Sequence, residues 1–196
     1  MMNAYSSVSH CGFVLLGIGM LTQTAMTGAV LQMISHGIMT ALFFGVIGMV
    51  YERTHTRMSD ELGGLLKVMP FIGTCFMLAG LTSLGLPGLS GFVAEMTVFV
   101  GAWQVNVFFY RAATVLACMS IVVTAVYILR AAGFAMMGPV KKENYNSLPD
   151  AMWNEKLAAL ILIIPIVVMG SAPFWLSTVI NNSVGNWMAG IVNLAH

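Results

Sequence analysis

No Asp, Glu, Lys or Arg occurs in residues 1–51, and in residues 68–110 the single charged residues are Glu95 and none other. Apolar runs this long leave few folds open. A helix crosses a bilayer with about 20 residues, and in hydrocarbon every backbone polar group must find a partner within the protein. The rest of the composition agrees. The chain is 59% hydrophobic and 8% charged, with a mean hydropathy of +0.89, where a soluble domain carries about 25% charged residues. The expected fold is all-α, a polytopic transmembrane helix bundle forming one domain over residues 1–196.

The 68–110 run contains the stretch Leu84-Gly85-Leu86-Pro87-Gly88-Leu89-Ser90-Gly91-Phe92-Val93-Ala94-Glu95. Proline removes a backbone donor and clashes with the preceding turn, and each glycine costs about 1 kcal/mol of helix propensity. Gly85, Pro87, Gly88 and Gly91 therefore mark a break, and residues 69–109 are expected to form two half-helices meeting inside the membrane. The run is near twice a normal span, which agrees.

The remaining spans follow from charge and turn residues. The polar patch Thr22-Gln23-Thr24, followed by Thr27-Gly28, divides the first run into helices over residues 5–20 and 28–51. A charged loop is expected at 52–67, a fourth helix at 111–137, a solvated loop at 138–154, and a fifth helix from 155 to about 177–181. Residues 182–196, with Trp187 and several asparagines, are expected at the membrane interface. Five crossings put Arg53, Arg57, Lys67, Arg130, Lys141, Lys142 and Lys156 on one side and Arg111 on the other. The positive-inside rule makes the first side cytoplasmic, with the N-terminus there and the C-terminus outside.

Several function classes are set aside. A net charge of +1 argues against a nucleic-acid partner, and the first charged residue, Glu52, comes too late for the basic start of a cleavable signal peptide. Cys11, Cys75 and Cys118 lack metal or redox spacing and read as small core residues. The seventeen methionines are scattered and read as packing between helices, not as a metal site. No nucleophile–base set, phosphate loop or haem motif occurs, and no pattern binds a redox cofactor.

Glu95 is the leading candidate for chemistry. A carboxylate at a helix centre costs about 2.5–3.5 kcal/mol on insertion scales, and broken helices beside such charges build ion paths. A kinked helix with its glutamate hydrogen-bonded to a neighbour fits the same residues. His36 shares a helix face with Gln32 and Thr40, a polar stripe directed into the bundle. Histidine suits a proton relay, and equally a neutral ring bonded to a backbone carbonyl. His10 lies four residues after Ser6, on a polar face expected near the cytoplasmic end of the first helix, and a structural role suits it too. His55 is expected to be solvated, Arg130 to snorkel, and His196 carries no assignment.

Four ordered motifs point to a family. These are Ala4-Tyr5-Ser6-Ser7-Val8-Ser9-His10-Cys11-Gly12-Phe13, Gly28-Ala29-Val30-Leu31-Gln32-Met33-Ile34-Ser35-His36-Gly37, Tyr51-Glu52-Arg53-Thr54-His55-Thr56-Arg57 and Gly85 through Glu95. They resemble the antiporter-like membrane subunits of respiratory complex I, NADH-quinone oxidoreductase, from Ala4 to about Glu155. Glutamate at position 95 resembles the M-type branch, the mitochondrial subunit 4 equivalents, where L- and N-type subunits usually carry lysine.

The resemblance implies a membrane-arm subunit of a proton-translocating enzyme, with Glu95 as terminal proton site and His36 and His10 on the hydrated axis leading to it. It implies that NADH, FMN, iron–sulfur clusters and quinone are bound by other parts of the complex, with no cofactor in this chain. The implied partners are L- and N-type subunits, the lipid bilayer, and the N-terminal part of its own subunit. The chain matches only the last helices of that family, and Met1-Met2-Asn3 stand where the family has a basic pair. The expectation is thus the exit half of a proton path, from a fragment, a truncated frame or a split gene. The family also contains subunits of multi-component sodium/proton antiporters, which is the alternative function; a structural piece without transport is the other. The bacterial cell membrane is the expected location, ahead of the mitochondrial inner membrane.

Overall fold

The computed structural model describes residues 2–56, 58 and 61–194. Arg57 and His196 lie outside these. The order is α1 (Met2–Gly19), α2 (Gln23–Thr54), α3 (Leu65–Val68), α4 (Pro70–Ser83), α5 (Ser90–Trp103), α6 (Phe108–Met136), a 3₁₀ turn (Glu143–Ser147), α7 (Trp153–Ser171) and α8 (Phe174–Leu194). Among the described residues α2, α6 and α7 are each long and apolar enough to cross a membrane.

The α2 helix is the axis. It has 32 residues and is about 48 Å long. Thr22 caps it: its hydroxyl accepts from the Ala25 N–H at 3.2 Å and donates to the Gly101 carbonyl at 2.9 Å. That cap starts the helix at Gln23, ahead of the expected residue 28. It ends where His55 turns into the left-handed region at φ 54°, solvent-exposed as expected. Alongside the first half of α2 runs α5, so close that a Cβ on Gly28 would lie 2.5 Å from the Val98 nitrogen. Beside its second half runs α4, through a core that includes Leu42, Val46, Ile72 and Ala79.

The expected break is present, between Ser83 and Ser90. Two helices of 14 residues, each about 21 Å, replace one rod. The first closes with Gly85 at φ 66°, where the Leu86 N–H reaches the Leu81 carbonyl and the Gly85 N–H reaches the Thr82 carbonyl, both at 3.1 Å. Such a cap satisfies helix-end carbonyls without water, and left-handed φ is what glycine supplies. Gly88 is also left-handed, at φ 93°. Gly91 sits inside the first turn of α5, where its missing side chain lets the Thr82 carbonyl approach.

At the α2 C-terminal end the Arg53 guanidinium grips Glu155 at 2.6 and 3.1 Å, and also takes the Pro149, Asp150 and Met49 carbonyls. The Asp150 carboxylate accepts from the Phe71 and Ile72 N–H groups, capping α4 behind Pro70. Lys142 pairs with Glu61 at 2.6 Å, and the Lys156 ammonium stands 5.7 Å from the Phe71 ring. Arg111 lies at the opposite end, stacked on Trp103 at 5.2 Å. Arg53, Lys142 and Lys156 thus gather at one end of the bundle and Arg111 at the other. The 138–154 loop differs from expectation: it is packed as well as solvated, since Tyr145 and Ala151 join the core.

The C-terminal region corrects the expectation more deeply. The helix expected to end at about 177–181 stops at Ser171, and another starts at Phe174. Pro173 has no N–H to continue the ladder and favours the start of a helix. Residues 182–194 continue this helix, α8, which packs on α2: Ile180 and Val184 meet Leu31, and Asn181 accepts from Gln23 at 3.0 Å and Thr27 at 3.2 Å. Cys11 also departs from expectation. It is exposed on the bundle surface, whereas Cys75 is buried.

Candidate functional site

The break gathers polar side chains from four helices. From α1 come Ser6 and His10, one turn apart; from α2 come Gln32, Ser35 and His36. Ser83 ends α4, while Ser90 and Glu95 belong to the first two turns of α5. Apart from His36, which is half-buried, all are buried, Glu95 at 3% exposure and Gln32 at 1%. No lysine or arginine pairs with Glu95 among the described residues.

His10 is the hub. The Gln32 amide nitrogen lies 2.8 Å from its Nδ1; an amide nitrogen only donates, so this contact fits the tautomer with Nδ1 bare and the proton on Nε2. Nε2 lies 3.1 Å from the Ser83 hydroxyl, which in turn lies 2.9 Å from that of Ser6. The Glu95 carboxyl faces the same Nδ1, at 3.5 Å. On the other side the His36 ring lies 4.9 Å from His10, centroid to centroid, with its planes tilted by 35°. The Thr40 hydroxyl stands 3.4 Å from both His36 nitrogens. A separate pair, Ser35 and Ser90 at 2.8 Å, pins the start of α5 to α2.

Backbone shape sets the position of the carboxyl. A Cβ on Gly85 would lie 2.6 Å from Glu95 Oε2, so the bare glycine leaves the space that the carboxyl fills. On the far side α7 presses Gly170 onto the link, where a Cβ would strike the Gly88 carbonyl.

Each residue singled out in the sequence thus has a place. Glu95 and His10 are neighbours, and His36 joins them through His10. Gly85, Pro87 and Gly88 form or flank the link, and Gly91 is the contact between its halves. His10 stands deeper than expected, level with Gln32 and Glu95, because α1 lies against the first half of α2. Sequence reasoning missed Ser83 and the Ser35–Ser90 pair. Their partners lie 77 and 55 positions away, and helical periodicity says nothing about such separations. Chemically, the cluster can hold a proton on a carboxyl and pass it to an imidazole, with hydroxyls extending the line away from it.

The sequence and fold have known counterparts. Residues 1–120 match the family described as NADH:quinone oxidoreductase/Mrp antiporter, transmembrane. The chain is 40% identical over 191 residues to an NAD(P)H-quinone oxidoreductase chain 4 2 of Synechococcus sp. (strain JA-3-3Ab), covering 95% of itself and 36% of that relative. It is 37% identical over 185 residues to NADH-quinone oxidoreductase subunit M of Rickettsia bellii (strain RML369-C), covering 94% of itself and 37% of that protein. Respiratory complex I from Thermus thermophilus contains a chain that superposes with a TM-score of 0.85 at 25% identity, over 95% of this chain and 38% of that one. The Mrp complex of Dietzia sp. DQ12-45-1b shares the fold, at a TM-score of 0.83 and 20% identity, over 94% of this chain and 42% of that one. The chain spans little more than a third of the length of the curated relatives it matches. With its four motifs, its broken span and most of its length matched, the chain belongs to the NADH:quinone oxidoreductase/Mrp antiporter transmembrane family.

Proposed function

We propose that this chain serves the membrane arm of a proton-translocating NADH-quinone oxidoreductase, contributing the exit half of a proton channel. The observation that carries this reading is Glu95 held against His10 inside a broken span, with no lysine or arginine to neutralise it among the described residues. A carboxyl so placed is costly for stability and suits a group that takes and gives up a proton. Glu95 is the terminal proton site, His10 its immediate partner, and His36 the next ring along the axis. Electron transfer and its cofactors belong to other subunits, and L- and N-type subunits are the neighbours. The bacterial cell membrane is the proposed setting, in keeping with the bacterial relatives.

The test is Glu95→Gln in the assembled complex, reconstituted in vesicles, with quinone reduction and proton uptake followed together. Glutamine keeps the shape and removes the exchangeable proton. Assembly is expected to survive, with proton translocation per electron sharply reduced. Undiminished translocation in an assembled Glu95→Gln complex would reject the reading. If translocation depends on sodium instead, the antiporter function replaces it.

A further inference from the structure

Gln32 is the most deeply buried polar side chain in the site, yet only one end of its amide is engaged. Its nitrogen donates to His10 Nδ1, whereas Oε1 is buried with no hydrogen-bond partner among the described residues. A buried amide with an unpaired oxygen is costly unless the group does something a hydrocarbon cannot. Its position indicates what. In the tautomer that fits this contact, Nδ1 has one lone pair, and the amide N–H occupies it. The Glu95 oxygen faces that same nitrogen from 3.5 Å and can hand over a proton only if the lone pair is released.

We infer that Gln32 is a positioning residue that latches His10, holding Nδ1 closed to the Glu95 proton in the observed orientation and opening it when the amide makes a half-turn. The half-turn exchanges the amide oxygen and nitrogen, which have nearly the same size. Because the far end of the amide has no partner, only His10 distinguishes the two orientations, and both are open to the side chain. With the amide turned, the O–H bond of Glu95 breaks as an N–H bond forms on Nδ1. The new imidazolium then faces the Glu95 carboxylate and the Gln32 oxygen, both acceptors. The reverse exchange, N–H breaking and O–H forming, delivers the proton back to Glu95 as the terminal site. One proton moves between two named atoms, and the Nε2 proton stays toward Ser83. The groups facing His10 are Gln32 and His36 on α2, Ser83 at the end of α4, and Glu95 on α5.

This inference rests on the proposed proton site, and the experiment separates the two. Gln32→Met, unbranched and close in size, keeps the packing and removes the latch, and it is compared with Glu95→Gln in the same assembled complex. Without the latch the proton settles on His10 and is released poorly, so translocation per electron is expected to fall about tenfold, the effect of one lost hydrogen bond. The second readout is the nitrogen-15 spectrum of histidine-labelled chain in bilayers, assigned with His10→Asn. It is expected to show Nδ1 unprotonated in the wild type and protonated in Gln32→Met. A Gln32→Met complex translocating within about twofold of wild type, or an unchanged Nδ1 signal, overturns the latch even while Glu95→Gln still sharply reduces translocation. If Glu95→Gln has no effect, the proton site itself is wrong. If the Gln32→Met complex does not assemble, the Nδ1 signal of the chain alone decides.

Discussion

Replacing Gly85 with alanine separates the shape of the break from its chemistry. Two costs are written into this position. The backbone is left-handed at φ 66°, a region that costs a residue with a Cβ about 1–2 kcal/mol. The added Cβ would also stand 2.6 Å from Glu95 Oε2, so the carboxyl must retreat by roughly 1 Å to reach ordinary contact. Gly88→Ala is the matched control: it carries the same kind of strain at φ 93°, but its Cβ would meet nothing within 4 Å. Both variants are expected to lose about 1–2 kcal/mol of stability by thermal unfolding in detergent. Only Gly85→Ala displaces the proposed proton site, and a misplacement of about 1 Å can cost about a hundredfold in rate. Proton uptake by assembled complex in vesicles reads this directly. Equal rates in the two variants would refute the argument, because the break would then act through backbone strain alone.

Contacts at other depths carry two more expectations. His36→Ala is expected to reduce translocation less than Glu95→Gln, because His36 meets Glu95 only through His10 and water can fill one side chain's space; equal losses would place His36 on the obligatory path. In the charged loop, the hydrogen bond from Lys142 holds the Glu61 carboxyl below its ordinary value of 4.5. Since the folded value is depressed, this stabilisation is full above 4.5 and fades as pH falls through the lower folded value. Both side chains are about half exposed and solvent screens them, so Glu61→Gln is expected to lower the unfolding temperature only slightly at neutral pH, with the gap closing in acid and in high salt. Thermal unfolding in detergent across that pH range checks it, and a gap independent of pH would show that charge is not what joins the two loops.

Much of this molecule is legible in the chain alone. Charge-free runs announce spans because an unpaired charge in hydrocarbon is so costly, and the Gly-Leu-Pro-Gly link announces a break because no continuous helix tolerates it. The faces shared by Ser6 and His10, and by Gln32 and His36, follow from the helical repeat, which is local. The faults have the same origin. A helix with a proline near its end looks continuous in hydropathy, so the start of α8 merges with α7, although Asn181 anchors α8 to Gln23 and Thr27 more than 150 positions away. Tyr145 and Ala151 sit among turn formers and charges, and only the packed loop shows them buried.

The apolar solvent, the place of the break and the ionisable residue inside it depend on the identity of each residue and its near neighbours, and so they are written in the sequence. What that residue faces is a matter of packing. The approach of His10 Nδ1 to Glu95, the hydroxyls of Ser6 and Ser83, and the half-engaged amide of Gln32 all depend on four helices meeting at one depth. That depth is set by glycines that let backbones touch, at Gly28 against Val98 and at Gly170 against Gly88, and such contacts are properties of pairs that no single stretch of chain contains.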